Sequence, residues 1–455
     1  MRILLSTVIV SCVFVALSFR IGESQFMAKQ AADKILSEQM EGESSIFNRV
    51  RDEGANSDEC LPIRVGGMNQ IDVEYLACSK LAINRDGDAF AVSDELTVPE
   101  GLARRVNFWR RVYSLWSKDQ DVLHVAEFPE VILEIHNSSR MAGIGDKARS
   151  AAMRPWLAAR RQHYKKILLK LAATSELDAS KMTGTELRVF KLFSHIDNKN
   201  KFKIAAFSLR VQRGQREFIA KGLFTSAKYL THAEAEFKAQ GLMPELARIA
   251  FIESSFNLQA LSKVGASGVY QVMPDTGRDY LVVTPEIDER NDPIKASRAA
   301  AKLLAMNYKI IGSWPLAITA YNHGIGGITR AAREEGTKDI TKLVNEYDGA
   351  NFGFASKNFY CGFLGMLATL KNSAKVFPEI VLSAPLNFDL VLVGGMSLAE
   401  VKERYKISTA TLSSYNPDIG RSFLRNGGTF PMRYKAKIPS RKSGLPAASL
   451  VTWTP

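Results

Sequence analysis

One apolar run, Ile3 to Phe19, is the only stretch of this chain long enough to be considered as a membrane span. A spanning helix needs about 20 consecutive apolar residues, and no later segment approaches that length. The remaining apolar side chains must therefore be buried in folded domains. With 46% hydrophobic and 24% charged residues, the 455-residue chain has the material for this. A polytopic membrane protein, a fibrous protein and a generally disordered chain are excluded, and the length predicts two or three domains.

The N-terminus has the pattern of a secretory leader. Arg2 precedes the apolar run, and Ala16-Leu17-Ser18 offers a cleavage site between small residues. We expect residues 1–23 to be a signal peptide that exports the chain to the periplasm or cell envelope of a bacterium. A retained membrane anchor is the alternative, because the 17 residues from Ile3 to Phe19 reach the short limit of a span. A third interpretation is lipidation at Cys12, although the apolar run continues beyond that cysteine.

The cysteines and histidines show no spacing typical of metal ligands or redox pairs. Cys60 and Cys78 lie in region 24–98, whose role the sequence does not reveal. In an oxidising compartment they either form a disulfide or remain two buried thiols. Cys361 stands in an aromatic run and is predicted to be a small buried apolar residue rather than a nucleophile. We expect no metal and no cofactor.

Positive charge is concentrated in one part of the chain. The net charge is +13, and residues 146–228 alone hold 19 basic and 6 acidic residues. The periodicity from Pro99 to Leu230 is mostly helical, so region 99–231 is predicted to be a basic helical region. Its charge is either a solvated helical face or a contact with anionic wall or membrane surfaces. Nucleic acid is not an expected partner, because an exported protein rarely meets it and no binding motif is present.

A predicted apolar helix carries the first candidate catalytic residue. Leu246, Ile249 and Ala250 recur at helical spacing, so Glu253 lies at the end of an apolar helix rather than on a solvated face. Burial would raise the pKa of that carboxyl and keep it protonated near neutral pH, as a general acid at a glycosidic oxygen requires. Taken alone, these residues favour a glutamate that merely ends a helix.

Two further motifs follow Glu253 and Ser254 within about 70 residues. They are Gly265-Ala266-Ser267-Gly268-Val269-Tyr270-Gln271-Val272-Met273-Pro274 and Ala320-Tyr321-Asn322. In this order and spacing the chain resembles the lytic transglycosylases of bacterial cell walls. The resemblance implies a mainly α protein with a lysozyme-like catalytic domain over residues 232–378 and peptidoglycan glycan strands as its substrate. It extends more weakly to Asn107–Tyr113 and Asp288–Pro293.

The resemblance also implies roles for individual positions. Glu253 would be the single catalytic acid and base. The residues implied to bind substrate are Ser254, Ser262, Gln271, Met273, Tyr321, Asn322 and Tyr360. One position departs from the family pattern, since Ser356 stands where many relatives have a glutamate. Asp288 and Asp292 are interpreted as helix-capping or loop-bracing carboxylates.

The implied reaction is the non-hydrolytic cleavage of the bond between N-acetylmuramic acid and N-acetylglucosamine, which leaves a 1,6-anhydro end. A single carboxylate can serve as acid and then as base for it, whereas most glycosidases use two. The alternatives are a lysozyme-like hydrolase and a non-catalytic protein that binds peptidoglycan.

The last block, residues 386–440, is predicted to contain a strand from Phe388, helices over Ser397–Tyr405 and Thr409–Tyr415, and a strand over Tyr434–Ile438. It resembles the LysM-type peptidoglycan-binding module, and the Asn416-Pro417 pair is the best matching feature. Residues Arg421–Arg433 form an insertion relative to that compact module. A plain extension of the catalytic domain is the alternative, and a small α+β structure is expected in either case.

Overall fold

The computed structural model describes residues 65–66, 96–139, 141 and 145–440. The predicted leader, Cys12, and the pair Cys60 and Cys78 lie outside the described residues. Within the described part, no helix combines the length and the apolar character that a membrane span requires.

Helices dominate the described residues, and the strands are few and short, so the prediction of a mainly α fold is confirmed. In chain order the strands and α-helices are β1 (Val65–Gly66), α1 (Ala103–Ser114), β2 (Gln120–Val125), β3 (Ile132–Asn137), α2 (Asp146–Ala173), α3 (Gly184–Leu192), α4 (Lys201–Phe207), β4 (Leu209–Arg213), α5 (Arg216–Ser226), α6 (Leu230–Ala239), α7 (Ile249–Ser254), α8 (Pro274–Tyr280), α9 (Pro293–Ile311), α10 (Trp314–His323), α11 (Ile325–Glu334), α12 (Ile340–Glu346), α13 (Phe354–Lys371), α14 (Ser373–Val376), β5 (Phe388–Leu392), α15 (Leu398–Tyr405), α16 (Thr409–Tyr415), α17 (Arg421–Asn426) and β6 (Lys435–Pro439). Short 3₁₀ helices cover Glu100–Leu102, Ala179–Lys181, Pro244–Arg248 and Glu289–Asn291.

The chain divides into two compact units. Among the described residues, one comprises Val65–Gly66 with Trp116–Gly214, and the other comprises Leu96–Leu115 with Gln215–Ser440. The helix α1, which is the first helix of region 99–231, belongs to the second unit.

The first unit contains a sheet that the helical periodicity did not predict. Its strand order is β1-β3-β2-β4, with β1 parallel to β3 and the other neighbours antiparallel. Both β2 and β3 are buried along almost their whole length. Their buried residues include the polar His124, Glu134 and His136, so neither strand has the continuous apolar run that is typical of a fully buried strand. The long helix α2 contributes Tyr164 and Leu168 to the core that Leu123 and Leu133 of the sheet also form.

In the second unit, α13 is buried on nearly all sides and packs closely against α1. Gly365 permits this approach, because a Cβ there would lie 2.8 Å from the backbone nitrogen of Arg110 and 2.9 Å from the carbonyl oxygen of Val106. Polar anchors add to the packing, since Trp109 Nε1 and Arg105 Nη1 both donate to Asn358 Oδ1, at 2.9 and 3.2 Å. The helix α1 is therefore an integral part of the unit that carries the candidate site.

The C-terminal block has the predicted order of strand, helix, helix and strand. Strands β5 and β6 pair antiparallel, with Phe388 opposite Pro439 and Leu392 opposite Lys435. The helix α17 lies in the insertion that the sequence indicated. The apolar core of this block includes Val401, Leu412 and Phe430, and it also includes Ile287 from the preceding block, residues 232–378.

Candidate active site

Glu253 lies near the C-terminal end of α7, as the apolar spacing predicted. A 3₁₀ turn over Pro244–Arg248 leads into this helix. Leu246 of the turn and Ile249 and Ala250 of the helix are fully buried. Glu253 itself is half-buried, and no hydrogen bond or ion pair joins its carboxylate to another described residue. Burial disfavours the charged form and raises the pKa of Glu253 to about 8. The structure thus provides a carboxyl that is protonated at neutral pH and still partly open to solvent.

The backbone immediately after Glu253 reverses sharply. Ser255 and Phe256 both have positive φ, at 52° and 55°, which is uncommon for residues with a side chain. Two backbone hydrogen bonds hold the reversal: Ser255 N donates to Phe251 O at 2.8 Å, and Phe256 N donates to Ala250 O at 3.2 Å. The ring of Phe256 is buried, which anchors the reversed backbone in the core. Local strain of this kind is often concentrated at functional sites.

The segment Gly265–Pro274, here called the substrate loop, folds back on itself. Ser267 pairs with both Leu261 and Val272 through isolated antiparallel bridges. Gly268 has φ +74°, and a Cβ at this position would overlap the carbonyl oxygen of Arg290. Only glycine fits there, which explains one glycine of the motif in physical terms.

Two hydrogen bonds bring the three sequence motifs together. Ser254 Oγ donates to Val269 O at 2.9 Å, and the Tyr321 hydroxyl donates to Tyr270 O at 2.8 Å. Adjacent carbonyls of the substrate loop are thus held by the residue next to Glu253 and by the Ala-Tyr-Asn motif. Burial raises the pKa of Tyr321, and the nearby charge of Glu253 adds to this effect. The two side chains therefore share one site.

The other predicted substrate-binding residues fall into two groups. Met273, at 43% exposure, and Asn322 present their side chains to solvent. Ser262 and Gln271 are half-buried and hold the loop in shape, because Ser262 Oγ accepts from Ala266 N at 2.9 Å and Gln271 Nε2 donates to Gly268 O at 2.8 Å. Gln271 also has positive φ, at 48°.

Tyr360 differs from the expectation that it faces the substrate. Its side chain is 1% exposed on the buried helix α13, and its hydroxyl donates to Thr97 O at 3.2 Å. A ring enclosed in this way has no free surface for a sugar. Ser356, one turn earlier, is also buried, and its hydroxyl lies 2.9 Å from Nδ1 of His323. Cys361 is buried as predicted, and burial raises the pKa of its thiol to about 12.

Arg290 is the important residue that the sequence did not single out. Its guanidinium donates to both carboxylate oxygens of Asp288, at 2.9 and 2.7 Å, and also to two loop carbonyls, Gly265 O at 2.8 Å and Val272 O at 3.2 Å. Asp288 caps the following 3₁₀ turn, and Asp292 caps α9, so the predicted capping and bracing roles are confirmed. The Asp288-x-Arg290 spacing was the available signal.

A surface cavity of about 350 Å³ lies beside α11 and is lined by none of the predicted site residues. Its walls are Ile310, Ile325, Gly326, Thr329, Arg330 and Arg333. Across residues 96–139, 141 and 145–440, no three His, Cys, Asp or Glu side chains form a group that could hold a metal ion.

Comparisons with known proteins agree with this arrangement. The family model described as the Transglycosylase SLT domain matches residues 231–344, which include Glu253, the substrate loop and Tyr321. Membrane-bound lytic murein transglycosylase D of Escherichia coli (strain K12) is 25% identical over 214 residues. That match spans 44% of this chain and 44% of the relative, so the chain covers less than half of that protein.

Two further proteins are similar over different extents. A protein of Alteromonas sp. (strain M-1) named for tributyltin chloride resistance is 32% identical over 157 residues, which is 34% of this chain and 73% of that protein. The solved structure of an inactive mutant of lytic transglycosylase Slt from Pseudomonas aeruginosa is 18% identical, with a TM-score of 0.28 over 52% of this chain and 34% of that chain.

Proposed function

The chain belongs to the family of lytic transglycosylases that share the SLT domain, and from this membership we propose that it cleaves peptidoglycan. The bond is the one between N-acetylmuramic acid and N-acetylglucosamine, and the product is a 1,6-anhydro end. The observation that carries the proposal is the half-buried carboxyl of Glu253, whose pKa burial raises to about 8. A carboxyl in that state can deliver a proton at the pH of the cell envelope.

In the first step, Glu253 protonates the bridging glycosidic oxygen. The bond between that oxygen and the anomeric carbon breaks, and the bonding electrons leave with the oxygen. The anomeric centre becomes oxocarbenium-like, and the sugar's own 2-acetamido group stabilises it. Glu253 is now ionised in a poorly solvated position, which makes it a stronger base than an exposed glutamate.

In the second step, the ionised Glu253 takes the proton of the 6-hydroxyl on the same sugar. The oxygen of that hydroxyl attacks the anomeric carbon and closes the 1,6-anhydro ring, and Glu253 regains its proton. A well-oriented intramolecular hydroxyl can reach an effective molarity of about 10⁵ M or more, which exceeds the roughly 55 M of water. Ring closure therefore outcompetes hydrolysis when the site fixes the sugar, and one carboxylate suffices.

The other motif residues have separate roles in the proposal. Met273 and Asn322 offer an apolar surface and an amide to the glycan, because both are open to solvent. Ser254 and Tyr321 hold the backbone of the substrate loop beside Glu253. Ser262 and Gln271 keep the turn of that loop and present their remaining polar surface to the sugar. No substrate contact is assigned to Tyr360, because its side chain is enclosed.

The proposal extends to location and to the remaining regions. A relative described as membrane-bound supports action in the cell envelope, with residues 1–23 as the export signal or anchor. The block 386–440 is proposed to be a LysM-like module that binds glycan strands. The basic segment 146–228 is proposed to contact anionic wall or membrane surfaces.

The test is mass spectrometry of the fragments that the exported protein releases from purified peptidoglycan. We expect muropeptides one water lighter than those of a hydrolase, and we expect Glu253→Gln to release none. Glu245→Gln is the matched control, because Glu245 precedes α7 and lies outside the proposed site. This control variant should retain the activity of the parent.

Each other outcome has a defined meaning. Fragments that carry the additional water would identify a hydrolase. Binding to peptidoglycan without any released fragment would identify a non-catalytic binding protein. Full activity in Glu253→Gln would remove Glu253 from the mechanism.

A further inference from the structure

The C-terminal module, residues 386–440, is joined to the catalytic block by more than its connecting chain. Ile287 forms an isolated bridge with Ile419, and its side chain lies in the core of the module. Two backbone hydrogen bonds flank the bridge, from Asp288 N to Asp418 O at 2.9 Å and from Gly420 N to Glu286 O at 2.7 Å. A segment of the catalytic block is thus built into the module as one of its structural elements.

Buried ion pairs reinforce this junction. Lys437 of β6 is 1% exposed, and its ammonium group contacts the carboxylate of Asp292, which is also buried. Lys295 Nζ lies 3.0 Å from Glu289 Oε1 and 2.8 Å from Oδ2 of Asp418 in the module. Removing one partner of a buried ion pair leaves an uncompensated charge in a poorly solvated place, so these pairs make the junction specific.

The same segment contacts the substrate loop on its other side. Arg290 donates to the carbonyl oxygens of Gly265 and Val272, at 2.8 and 3.2 Å. Its neighbour Asn291 accepts from Ser267 Oγ at 2.7 Å. The module contacts this segment at Asp288 and at Asp292. The residues between these two points therefore have little freedom to move away from the substrate loop.

A continuous series of contacts therefore links the module to Glu253. It runs from Asp418 and Lys437 to the segment 286–295, and from Arg290 to the substrate loop. From the loop it reaches Ser254 through the carbonyl of Val269, at 2.9 Å. Each step is a hydrogen bond or an ion pair between described residues.

We propose that Asp418 and Lys437 of the C-terminal module are positioning residues that hold the substrate loop in its active conformation, acting through the segment 286–295. This inference rests on the proposed function for its catalytic readout. The module is then a structural part of the active site, whatever glycan it also binds. Its loss should lower turnover even on short substrates that it does not have to capture.

The test uses the full chain with two variants and a matched control for each. Lys437→Met removes the buried ammonium group with little change of shape, and Lys435→Met makes the same change at an exposed position of the same strand. The Tyr434 hydroxyl donates to Asp418 Oδ2 at 2.8 Å. Asp418→Asn is isosteric and keeps a side-chain oxygen that can accept this hydrogen bond, so the variant remains informative if Lys437→Met fails to fold. Asp389→Asn, on the exposed face of β5, is its control.

Two measurements are made on each protein. The first is backbone hydrogen exchange in the substrate loop, read by mass spectrometry on peptides that cover residues 265–273. The second is the separation of kcat from KM on soluble glycan fragments prepared from peptidoglycan, at a temperature well below unfolding. A residue that only stabilises the fold would leave kcat of the folded enzyme unchanged, so kcat separates the two roles.

We expect loop exchange to rise and kcat to fall about tenfold in Lys437→Met and Asp418→Asn, with KM nearly constant and both controls unchanged. Unchanged loop exchange would overturn the proposal, and so would unchanged kcat despite faster exchange. The exchange measurement does not depend on activity. If the parent enzyme releases no anhydro products, the proposed function fails, and hydrogen exchange still decides whether the module holds the loop.

Discussion

Replacing Glu253 with glutamine should stabilise the fold, and the gain should increase with pH. Burial raises the pKa of this carboxyl to about 8 in the folded protein, whereas its ordinary value is 4.5. The fold therefore favours the protonated form of Glu253. Glutamine has nearly the same shape and never acquires the charge that the site disfavours.

The pH range follows from these two pKa values. Below about 4.5 the carboxyl is protonated in both states, and pH has no effect through this residue. Between about 4.5 and 8 the unfolded chain releases a proton that the folded chain retains, so the unfolding free energy of the parent falls as pH rises. Above about 8 the carboxyl is ionised in both states, and the difference between parent and variant becomes constant.

The size of the effect follows from the pKa difference. Each pKa unit corresponds to about 1.4 kcal/mol, so the difference between the ordinary pKa of 4.5 and a pKa of about 8 sets an upper limit near 5 kcal/mol. Glu253 is half-buried, and water screens part of the cost of its charge. We therefore expect the unfolding free energy of Glu253→Gln, relative to the parent, to be about 2–3 kcal/mol larger at pH 8 than at pH 4.5. A gain of that size is a large fraction of the stability of a typical domain.

Urea unfolding of the parent and of Glu253→Gln between about pH 4.5 and 9 measures this difference. The chain has two compact units, so the comparison uses the transition that the substitution shifts. Glu245→Gln, the same change at a position outside the proposed site, is the control. A constant difference for Glu253→Gln, or a variant less stable than the parent at pH 8, would refute the argument that burial controls this carboxyl.

Three further predictions concern the active site. The kcat/KM of the parent should fall about tenfold per pH unit above about pH 8 as Glu253 ionises, and a pH–rate profile that stays flat to pH 10 would contradict this. Gly268→Ala should lower the unfolding free energy by about 3 kcal/mol or more in chemical denaturation, because its Cβ would overlap Arg290 O. Gly326→Ala is the control: its Cβ would meet open space, so the unfolding free energy should change by less than about 1 kcal/mol. Tyr321→Phe removes the hydroxyl that holds the loop, so kcat should fall at least about tenfold with little change in KM, and wild-type kinetics would show that the hydroxyl is dispensable.

The features that the sequence predicted depend on local patterns. The helix that ends near Glu253 follows from apolar residues at helical spacing, which require no knowledge of distant contacts. The order of elements in the C-terminal module follows from alternating strand residues and short helical segments. In the structure, Ser397 and Ser408 cap α15 and α16. The glycines of the substrate loop were recognised as a motif before their steric reason was visible.

The features that the sequence did not predict depend on tertiary contacts. Strands β2 and β3 are buried on both faces but carry polar residues there, among them His124, Glu134 and His136. Neither a continuous apolar run nor a polar outer face therefore marks them as strands in the sequence. Arg290 donates to the backbone carbonyls of Gly265 and Val272. Every residue has such a carbonyl, so the residue types at these positions do not reveal the contact. Tyr360 was placed at the substrate by resemblance, but the packing around α13 encloses it, and only the three-dimensional structure reveals that burial.

The order of the chain gives the junction at the C-terminal module a consequence for biosynthesis. The ribosome completes Glu253, the substrate loop and Tyr321 before it reaches Asp418 and Lys437. A nascent or truncated chain would thus contain every reacting group without the contacts that hold the loop. Full activity would arise only after the module itself has been synthesised and has folded against the segment 286–295.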